Sequence, residues 1–286
     1  MTNSLKAFNL IDEIRAVPAN KAGQMVFYAR QFADPNILPL APADTADITE
    51  ISEESNVRII TIHAPEGLPY GCFARMILSY LVTLIKRGQG SKKFLTSRRK
   101  LYQEVTGQRV NGQKQLKQFI EVFIKFITSD ISIRETQRYK KNAKFFSARA
   151  VLSDLTVWDA QKNISFELSD SFIKLVKAVK PHPIDARALR FLWKNNSPLA
   201  IDLYCWITYR STSLKMRKQI LFTWKVLEAM FPNEEKRTLR PSVFRNRLIA
   251  ALKLVKICYP ALNATIGDQG MYLMRSPPHV PEKGKQ

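Results

Sequence analysis

The stretch SRRKLYQEVTGQRVNGQKQLKQFIEVFIKFI, residues 97–127, predicts a short helix, a turn and a long helix. Thr96 or Ser97 can cap the short helix, and Gly107 is suited to end it. The long helix is predicted over Gln113–Ile127, where apolar residues recur at helical spacing: Leu116, Phe119, Ile120, Phe123 and Ile124. A short helix, a glycine turn and a long helix with a basic polar face form the layout of a helix-turn-helix.

Two strands are predicted after this stretch, over Asp130–Glu135 and Phe145–Trp158, with the basic sequence QRYKKNAK between them. A helix-turn-helix followed by a hairpin is a winged helix. We therefore expect the basic hairpin tip to be the wing and to lie beside a phosphate backbone, through Arg138, Lys140, Lys141 and Lys144.

The same order of elements recurs in the second half of the chain. A strand over Lys218–Trp224 precedes a short helix, Lys225–Phe231, and a long helix, Pro241–Tyr259, and a hairpin follows around Gly267 and Gly270. The two halves share no clear sequence identity, so only the order repeats. These patterns predict a predominantly helical α+β protein with two tandem winged-helix domains.

Composition divides the chain into four predicted segments. Residues 1–56 mix Ala, Pro, Asp and Thr and are expected to be a flexible acidic segment. The first winged helix is assigned to residues 57–160 and the second to residues 161–276, and residues 277–286 are expected to be a disordered tail.

The net charge of +21 comes from 45 Lys and Arg against 24 Asp and Glu, and it belongs to the body of the chain. Residues 1–60 hold 5 basic and 8 acidic residues, whereas residues 86–149 hold 17 basic and 4 acidic ones. Such a balance on a chain with 45% apolar residues indicates a polyanionic partner, and we expect double-stranded DNA.

The candidate DNA-binding residues lie on the two predicted helix-turn-helix units. Asn and Gln can pair with adenine edges, Arg and Lys with guanine or phosphate, and basic residues that begin a helix oppose its dipole unless an anion lies nearby. An ordinary solvated helix face remains the alternative. The candidates are Arg98, Arg99, Lys100, Asn111, Gln113, Lys114, Lys117 and Gln118 in the first unit, and Arg240, Ser242, Arg245, Asn246 and Lys253 in the second.

The sequence lacks the motifs of the enzymes that act on DNA. It has no G-x-x-x-x-G-K-[ST] phosphate loop, no His-apolar-His pair, and few carboxylates in its basic region. We therefore expect neither catalysis nor a metal or other cofactor. The cysteines, Cys72, Cys205 and Cys258, are expected to be buried thiols in a reducing compartment. The N-terminus has no signal-peptide layout and the apolar window Met76–Ile85 is too short to span a bilayer, so the expected location is the cytoplasm.

Three collinear motifs carry a resemblance to a known family: LPYGCFARMILSYL (Leu68–Leu81), DARALRFLWKNNSPLAIDLYCWITYR (Asp185–Arg210) and RSPPHVP (Arg275–Pro281). Together they resemble the RepA-type plasmid replication initiators. The resemblance implies tandem winged helices that bind repeated origin sequences (iterons), open the neighbouring AT-rich DNA, and recruit a host initiator and the replicative helicase. The predicted wing, QRYKKN, is shorter than the family pattern, which leaves its DNA contacts open.

Two other functions are weighed against an origin-binding initiator. A winged-helix transcriptional repressor, including one of its own gene, fits the same features. A nicking enzyme fits poorly, because the histidine pair that would hold its metal is missing. Within the initiator hypothesis, we expect the second winged helix to read the sequence and the first to grip the backbone. The densely apolar segment Cys72–Ile85 further predicts a monomer–homodimer exchange.

Overall fold

The computed structural model describes residues 3–29, 38–40, 49–53, 56–90, 93–137, 143–148, 152–158, 163–178, 181–214, 219–231 and 241–281. Its helices are α1 (Asn3–Ala16), α2 (Gly71–Lys86), α3 (Arg98–Thr106), α4 (Gln113–Ile127), α5 (Asp170–Ala178), α6 (Ala186–Lys194), α7 (Pro198–Ser213), α8 (Trp224–Met230) and α9 (Pro241–Cys258). Its strands are β1 (Met25–Tyr28), β2 (Thr49–Glu53), β3 (Asn56–His63), β4 (Phe94–Ser97), β5 (Asp130–Gln137), β6 (Ala143–Ala148), β7 (Leu152–Trp158), β8 (Asn163–Leu168), β9 (His182–Asp185), β10 (Gln219–Thr223), β11 (Ala264–Gly267) and β12 (Gly270–Met274).

The chain forms two compact units, of which one is discontinuous in sequence. We call residues Asn36–Pro181 the first head. The second head combines Met1–Pro35 with His182–Gln286.

The first head contains two antiparallel sheets. One has the strand order β4-β8-β7, in which Phe94 of β4 pairs with Phe166 of β8. The other has the order β2-β3-β5-β6, and it is built on the full-length pairing of β3 with β5 from Asn56↔Gln137 to His63↔Asp130. The hairpin β5–β6 therefore belongs to a different sheet from β4.

Helix α2 is the buried centre of the first head. Its sequence is apolar nearly throughout, and even the recurring polar positions Arg75, Ser79 and Thr83 are at most 5% exposed. The Arg75 guanidinium donates hydrogen bonds to the carbonyl oxygens of Leu38 (2.7 Å), Pro39 (3.1 Å) and Gly71 (2.9 Å). A buried guanidinium needs such partners because an unpaired buried charge is costly. Arg75 thus ties residues 38–39 to the start of α2.

The second head packs α7 and α9 together beside a sheet of order β10-β12-β11. The inward face of α9 is the one that its sequence spacing predicts, with Phe244, Leu248, Ala251, Leu252 and Val255 all buried. The N-terminal segment contributes β1, which pairs with β9 from Met25↔Asp185 to Tyr28↔His182. Helix α1 packs against α6.

Both heads share one topology. In the first head the order α2–β4–α3–α4–β7–β8, with β5 and β6 inserted between α4 and β7, gives the sheet β4-β8-β7. In the second the order α7–β10–α8–α9–β11–β12 gives the sheet β10-β12-β11. In each, the strand between the first two helices pairs with the last strand of the closing hairpin, as in a winged helix. The predicted α+β fold with two tandem winged helices is confirmed.

Three details of the predicted organisation are corrected. Residues 1–35 belong to the second head, where α1 and β1 are regular elements. Strand β8 and helix α5, which were assigned to the second domain, belong to the first head, so the division falls after Pro181 instead of after residue 160. The predicted disordered tail of residues 277–286 is wrong for residues 277–281, since Val280 is 3% exposed; residues 282–286 lie outside the described part.

Candidate nucleic-acid interface

In the first head, α4 presents the predicted basic and amide face to solvent. Its opposite face is fixed by aromatic contacts: the Phe119 ring meets Tyr102 at 5.2 Å and Phe73 at 5.5 Å between centroids, edge to face. Because this core sets the rotation of the helix, four candidates are left exposed at its N-terminal end: Gln113, Lys114, Lys117 and Gln118.

The turn between α3 and α4 is held by local hydrogen bonds. Gly107 adopts a left-handed conformation, with φ of 67°, and its N–H donates to the Gln103 carbonyl oxygen at 2.7 Å. The Thr106 hydroxyl donates to the Tyr102 carbonyl oxygen at 2.8 Å and accepts from the Gln108 N–H at 3.2 Å. This is the sharp, ordered connection that a helix-turn-helix requires.

An open cleft of about 260 Å³ lies where α3 and α4 begin, lined by Arg99, Asn111, Gly112 and Gln113 among others. Gly112, the residue before α4, offers no side chain to cap the helix. The first N–H groups of a helix lack intrahelical acceptors and carry a partial positive charge, so the start of α4 favours an anion. Arg99 and Asn111 are exposed beside it. The cleft suits a backbone phosphate.

The predicted cap of α3 is present. The Ser97 hydroxyl accepts a hydrogen bond from the Lys100 N–H at 3.2 Å, as an N-cap residue does. Arg99 and Lys100 are exposed, whereas Arg98 is half-buried. Arg99 and Lys100 therefore place positive charge at the helix start, where only an external anion would favour it.

The predicted wing of the first head is corrected. The basic hairpin β5–β6 lies in the sheet with β2 and β3, and the hairpin β7–β8 occupies the wing position next to β4. Arg138, Lys140 and Lys141 lie outside the described residues, and Lys144 lies on β6. The predicted strand Phe145–Trp158 is two strands, β6 and β7, one in each sheet.

In the second head, α9 exposes the polar face that its sequence predicts. Ser242, Arg245, Asn246 and Lys253 are exposed, and Arg240 lies outside the described residues. Arg245 and Asn246 stand in the first two turns of the helix, where recognition helices meet base edges. Trp224, which no sequence motif singles out, lies with its ring under the Arg245 guanidinium, at 5.2 Å from Cζ to the ring centroid.

The second and third of the three motifs quoted above, Asp185–Arg210 and Arg275–Pro281, contribute residues to a buried polar network of the second head. Asp185 and Arg187 form a double hydrogen-bonded ion pair, with Nη2 to Oδ2 at 2.7 Å and Nε to Oδ1 at 3.0 Å. Arg187 also donates to the carbonyl oxygens of Glu13 and Val17, both at 2.7 Å, at the end of α1. The Tyr204 hydroxyl accepts from the Asp185 N–H at 3.0 Å.

His279 completes this network from the C-terminal segment. Its Nδ1 lies 2.8 Å from the Tyr204 hydroxyl, and its ring stacks on Tyr259 at 4.5 Å between centroids. Burial lowers the pKa of His279 to about 4; the Asp185 carboxylate opposes this shift and the Arg187 guanidinium adds to it. Burial also raises the pKa of Tyr204 well above its usual value. These motif residues therefore form contacts that hold the second head together.

The part of the chain that the structure describes contains no candidate metal centre. Among those residues, no group of three or more His, Cys, Asp or Glu side chains could hold a metal ion. Cys72, Cys205 and Cys258 are buried thiols, as their apolar surroundings predict. In the same described part, no helix is long and apolar enough to cross a membrane.

Comparison with known proteins finds solved structures of similar fold, but no related protein by sequence. No protein-family model matches the chain, and no curated protein matches it. A solved structure of domains 2 and 3 of RctB matches with a TM-score of 0.50 at 12% identity, covering 78% of this chain and 81% of the other. A second structure of RctB domains 2–3 matches with a TM-score of 0.48 at 12% identity, over 84% and 93% of the two chains.

A third similar structure is the WH1 domain of MSBI1.176, a replication protein isolated from a multiple sclerosis patient. Its TM-score is 0.25 at 9% identity, and it covers 42% of this chain and 83% of the other. At such low sequence identities the comparisons show a likeness of fold alone. The RctB match with a TM-score of 0.50 agrees with the two-domain winged-helix architecture.

Proposed function

We propose that this protein is a DNA-binding replication initiator that binds repeated sequences at an origin. The observation that carries the proposal is the pair of winged-helix heads, each with its second helix-turn-helix element exposing amide and basic side chains at the N-terminal end. A chain of net charge +21 favours a polyanion over an acidic or neutral partner. Two heads also suit repeated or extended DNA sites better than one.

The choice of replication over other DNA functions rests on the three motifs that resemble the RepA-type family. Two of those motifs supply the Asp185–Arg187–Tyr204–His279 network, and the first supplies the buried Arg75. Motif residues that build the scaffold are what a shared architecture would retain. From the same resemblance we propose that the DNA sites are plasmid iterons and that the partners are a host initiator and the replicative helicase. From the apolar segment Cys72–Ile85 we propose a monomer–homodimer exchange, and from the sequence as a whole a cytoplasmic location.

We further propose that the protein acts without catalysis. The free energy of protein–DNA binding would then drive origin opening. Bending a DNA site by 40–90° costs roughly 1–6 kcal/mol, and the additional contacts that the bend permits repay this cost. The N-terminal ends of α4 and α9 would enter major grooves, while Arg99, Lys100 and the start of α4 would hold phosphates.

A plasmid-maintenance assay tests this function directly. The DNA that flanks the gene is cloned into a plasmid whose own origin works only under permissive conditions, and the protein is supplied from a second plasmid. We expect the test plasmid to persist under non-permissive conditions only when the protein is present. Loss of the plasmid, combined with reduced expression from the gene's own promoter, would instead identify a transcriptional repressor.

A further inference from the structure

Trp224 connects the parts of the second head that surround α9. It is the first residue of α8, directly after β10, and it is 8% exposed. Its backbone N–H donates to the Gln269 carbonyl oxygen at 3.1 Å, and its indole Nε1–H donates to the Asp268 carbonyl oxygen at 2.8 Å. Both acceptors lie in the turn between β11 and β12. Two hydrogen bonds therefore fasten the start of α8 to the wing turn.

On α9, Arg245 contacts the ring of Trp224. Its guanidinium carbon lies 5.2 Å from the centroid of the Trp224 ring, while the Arg245 side chain remains exposed. A cation over an indole ring is attracted by the partial negative charge on the face of the ring, and a planar guanidinium can also stack on that face. A cation–π contact occupies no hydrogen-bond donor, so the N–H groups of Arg245 can still donate to a guanine.

Next to Trp224, the start of β12 lies very close to the end of β10. Gly270, the first residue of β12, has φ of 150° and pairs with Thr223. A Cβ at Gly270 would overlap the Phe222 carbonyl oxygen and lie 2.9 Å from the Thr223 Cα, so only glycine allows this approach. The backbone that leads into Trp224 thus lies tightly against β12.

We propose that Trp224 is a positioning residue for base recognition, which orients Arg245 before DNA binds and couples the wing to the recognition helix. This inference rests on the proposed DNA-binding function. An arginine in solution samples many rotamers, and ordering it in advance reduces the entropy lost on binding. Trp224 would therefore increase affinity for the specific site while contributing little to sequence-independent binding.

The experiment compares Trp224→Leu, Trp224→Phe and, as a matched control, Trp193→Leu in α6 of the same head. Affinities are measured for the parent-origin duplex and a scrambled duplex at one salt concentration. We expect Trp224→Leu to weaken origin binding by roughly three- to thirtyfold, the range of a cation–π contact, with little change on the scrambled duplex. Trp224→Phe keeps a ring face and should retain part of the affinity. Adding Arg245→Ala to Trp224→Leu should cost less than Arg245→Ala alone.

A second readout uses the free protein. In its NMR spectrum the Arg245 δ protons should be shifted upfield by the indole ring, and this shift should vanish in Trp224→Leu. If Trp224→Leu proves unfolded by thermal melting, Trp224→Phe decides the question with the same two measurements.

The outcomes separate the two proposals. Unchanged discrimination in folded Trp224 variants, while Arg245→Ala loses it, would overturn the positioning role and leave the DNA-binding function standing. Equal losses in Trp224→Leu and Trp193→Leu would overturn it as well. Wild-type protein that binds both duplexes equally would contradict the proposed function, and the NMR shift alone would then show whether Trp224 orients Arg245.

Discussion

Arg245 is the single side chain on which base reading should depend most. It is exposed in the second turn of α9 and is held over Trp224, and a bidentate contact from arginine to guanine is worth about 1–3 kcal/mol of discrimination. We predict that Arg245→Ala weakens binding to the origin duplex by about 1–3 kcal/mol and leaves binding to a scrambled duplex nearly unchanged. Fluorescence anisotropy on the two duplexes measures both values.

Lys253→Ala is the comparison variant for this prediction, because Lys253 is also exposed on α9 but lies two turns further along. Later lysines of a recognition helix more often meet phosphates, so this change should weaken both complexes alike. An equal loss on both duplexes for Arg245→Ala would show that α9 does not read bases.

His279 makes the stability of the second head depend on pH. Its pKa is about 4 in the folded chain and about 6.5 when exposed, so between these values the unfolded state binds more protons. The contribution is therefore fully present above pH 6.5 and is lost as the pH falls towards 4. We predict a loss of about 2 kcal/mol in the free energy of unfolding between pH 7 and pH 5.

Urea denaturation at the two pH values, for wild type and His279→Gln, checks this expectation. The variant lacks the titrating ring, so its unfolding free energy should change less over the interval. If both proteins lose the same amount, His279 is not the responsible group.

At the scale of single residues, the exposed helix faces could be predicted from the sequence, whereas the buried polar contacts could not. The exposed faces of α4 and α9 follow from helical periodicity, which is a local property. By contrast, Arg75 belongs to a periodic polar stripe on α2, yet it is fully buried against the carbonyl oxygens of Leu38 and Pro39. Such partners lie more than 35 residues away, and no local pattern reveals them.

At the scale of elements, the two long helices α4 and α9 could be predicted and the sheet partners could not. The predicted helix Gln113–Ile127 matches α4, and Pro241–Tyr259 differs from α9 by one residue. The wing was assigned to β5–β6 because that hairpin follows α4 directly and is basic. Its first strand, β5, instead pairs with β3, while β4 takes β8 as its partner. Strand pairing is non-local, so adjacency in sequence is a weak guide to it.

Gly270, at the start of β12, and Gly112, directly before α4, should respond differently to substitution. Gly270→Ala would place a Cβ on the Phe222 carbonyl oxygen, whereas a Cβ at Gly112 meets nothing within 4 Å. We predict that Gly270→Ala lowers the free energy of unfolding by roughly 2 kcal/mol or more through strain, and that Gly112→Ala changes it by less than about 1 kcal/mol. Thermal unfolding of both variants provides the measurement. Similar melting temperatures for the two would contradict the close approach of β12 to the end of β10.

The N-terminal half of α4 should bind the phosphate backbone of DNA. Lys117 is exposed on the polar face of the helix, whereas Lys125 is half-buried, pairs with Glu121 at 3.3 Å and lies 5.4 Å from the Tyr70 ring centroid. We predict that Lys117→Ala weakens binding to any duplex and lowers the slope of log affinity against log salt by about one, since one phosphate contact is lost. Lys125→Ala is the control and should leave the slope unchanged.

Salt titrations from 50 to 200 mM give both slopes. Equal slopes for wild type and Lys117→Ala would mean that this face of α4 does not contact phosphate.

At the scale of the whole molecule, the discontinuous second head is the feature that composition obscured. Residues 1–56 look like a linker because they are acidic and contain few long apolar runs. Nevertheless Arg187 binds the end of α1 across more than 165 residues of sequence, and β1 pairs with β9. The repeat of winged helices was predictable from element order, whereas the assignment of the N-terminal segment to the second head required long-range contacts.

The most direct test of the two-headed account is a hydroxyl-radical footprint on the DNA that flanks the gene. Each head should protect its own stretch of backbone, so the account predicts tandem direct repeats with two protected segments in every repeat. In Arg245→Ala one of the two segments should lose its protection at matched protein concentration, and the other should persist. Uniform protection without repeats, or a single inverted repeat over the promoter, would contradict the claim that this chain initiates replication by reading repeated DNA with two winged-helix heads.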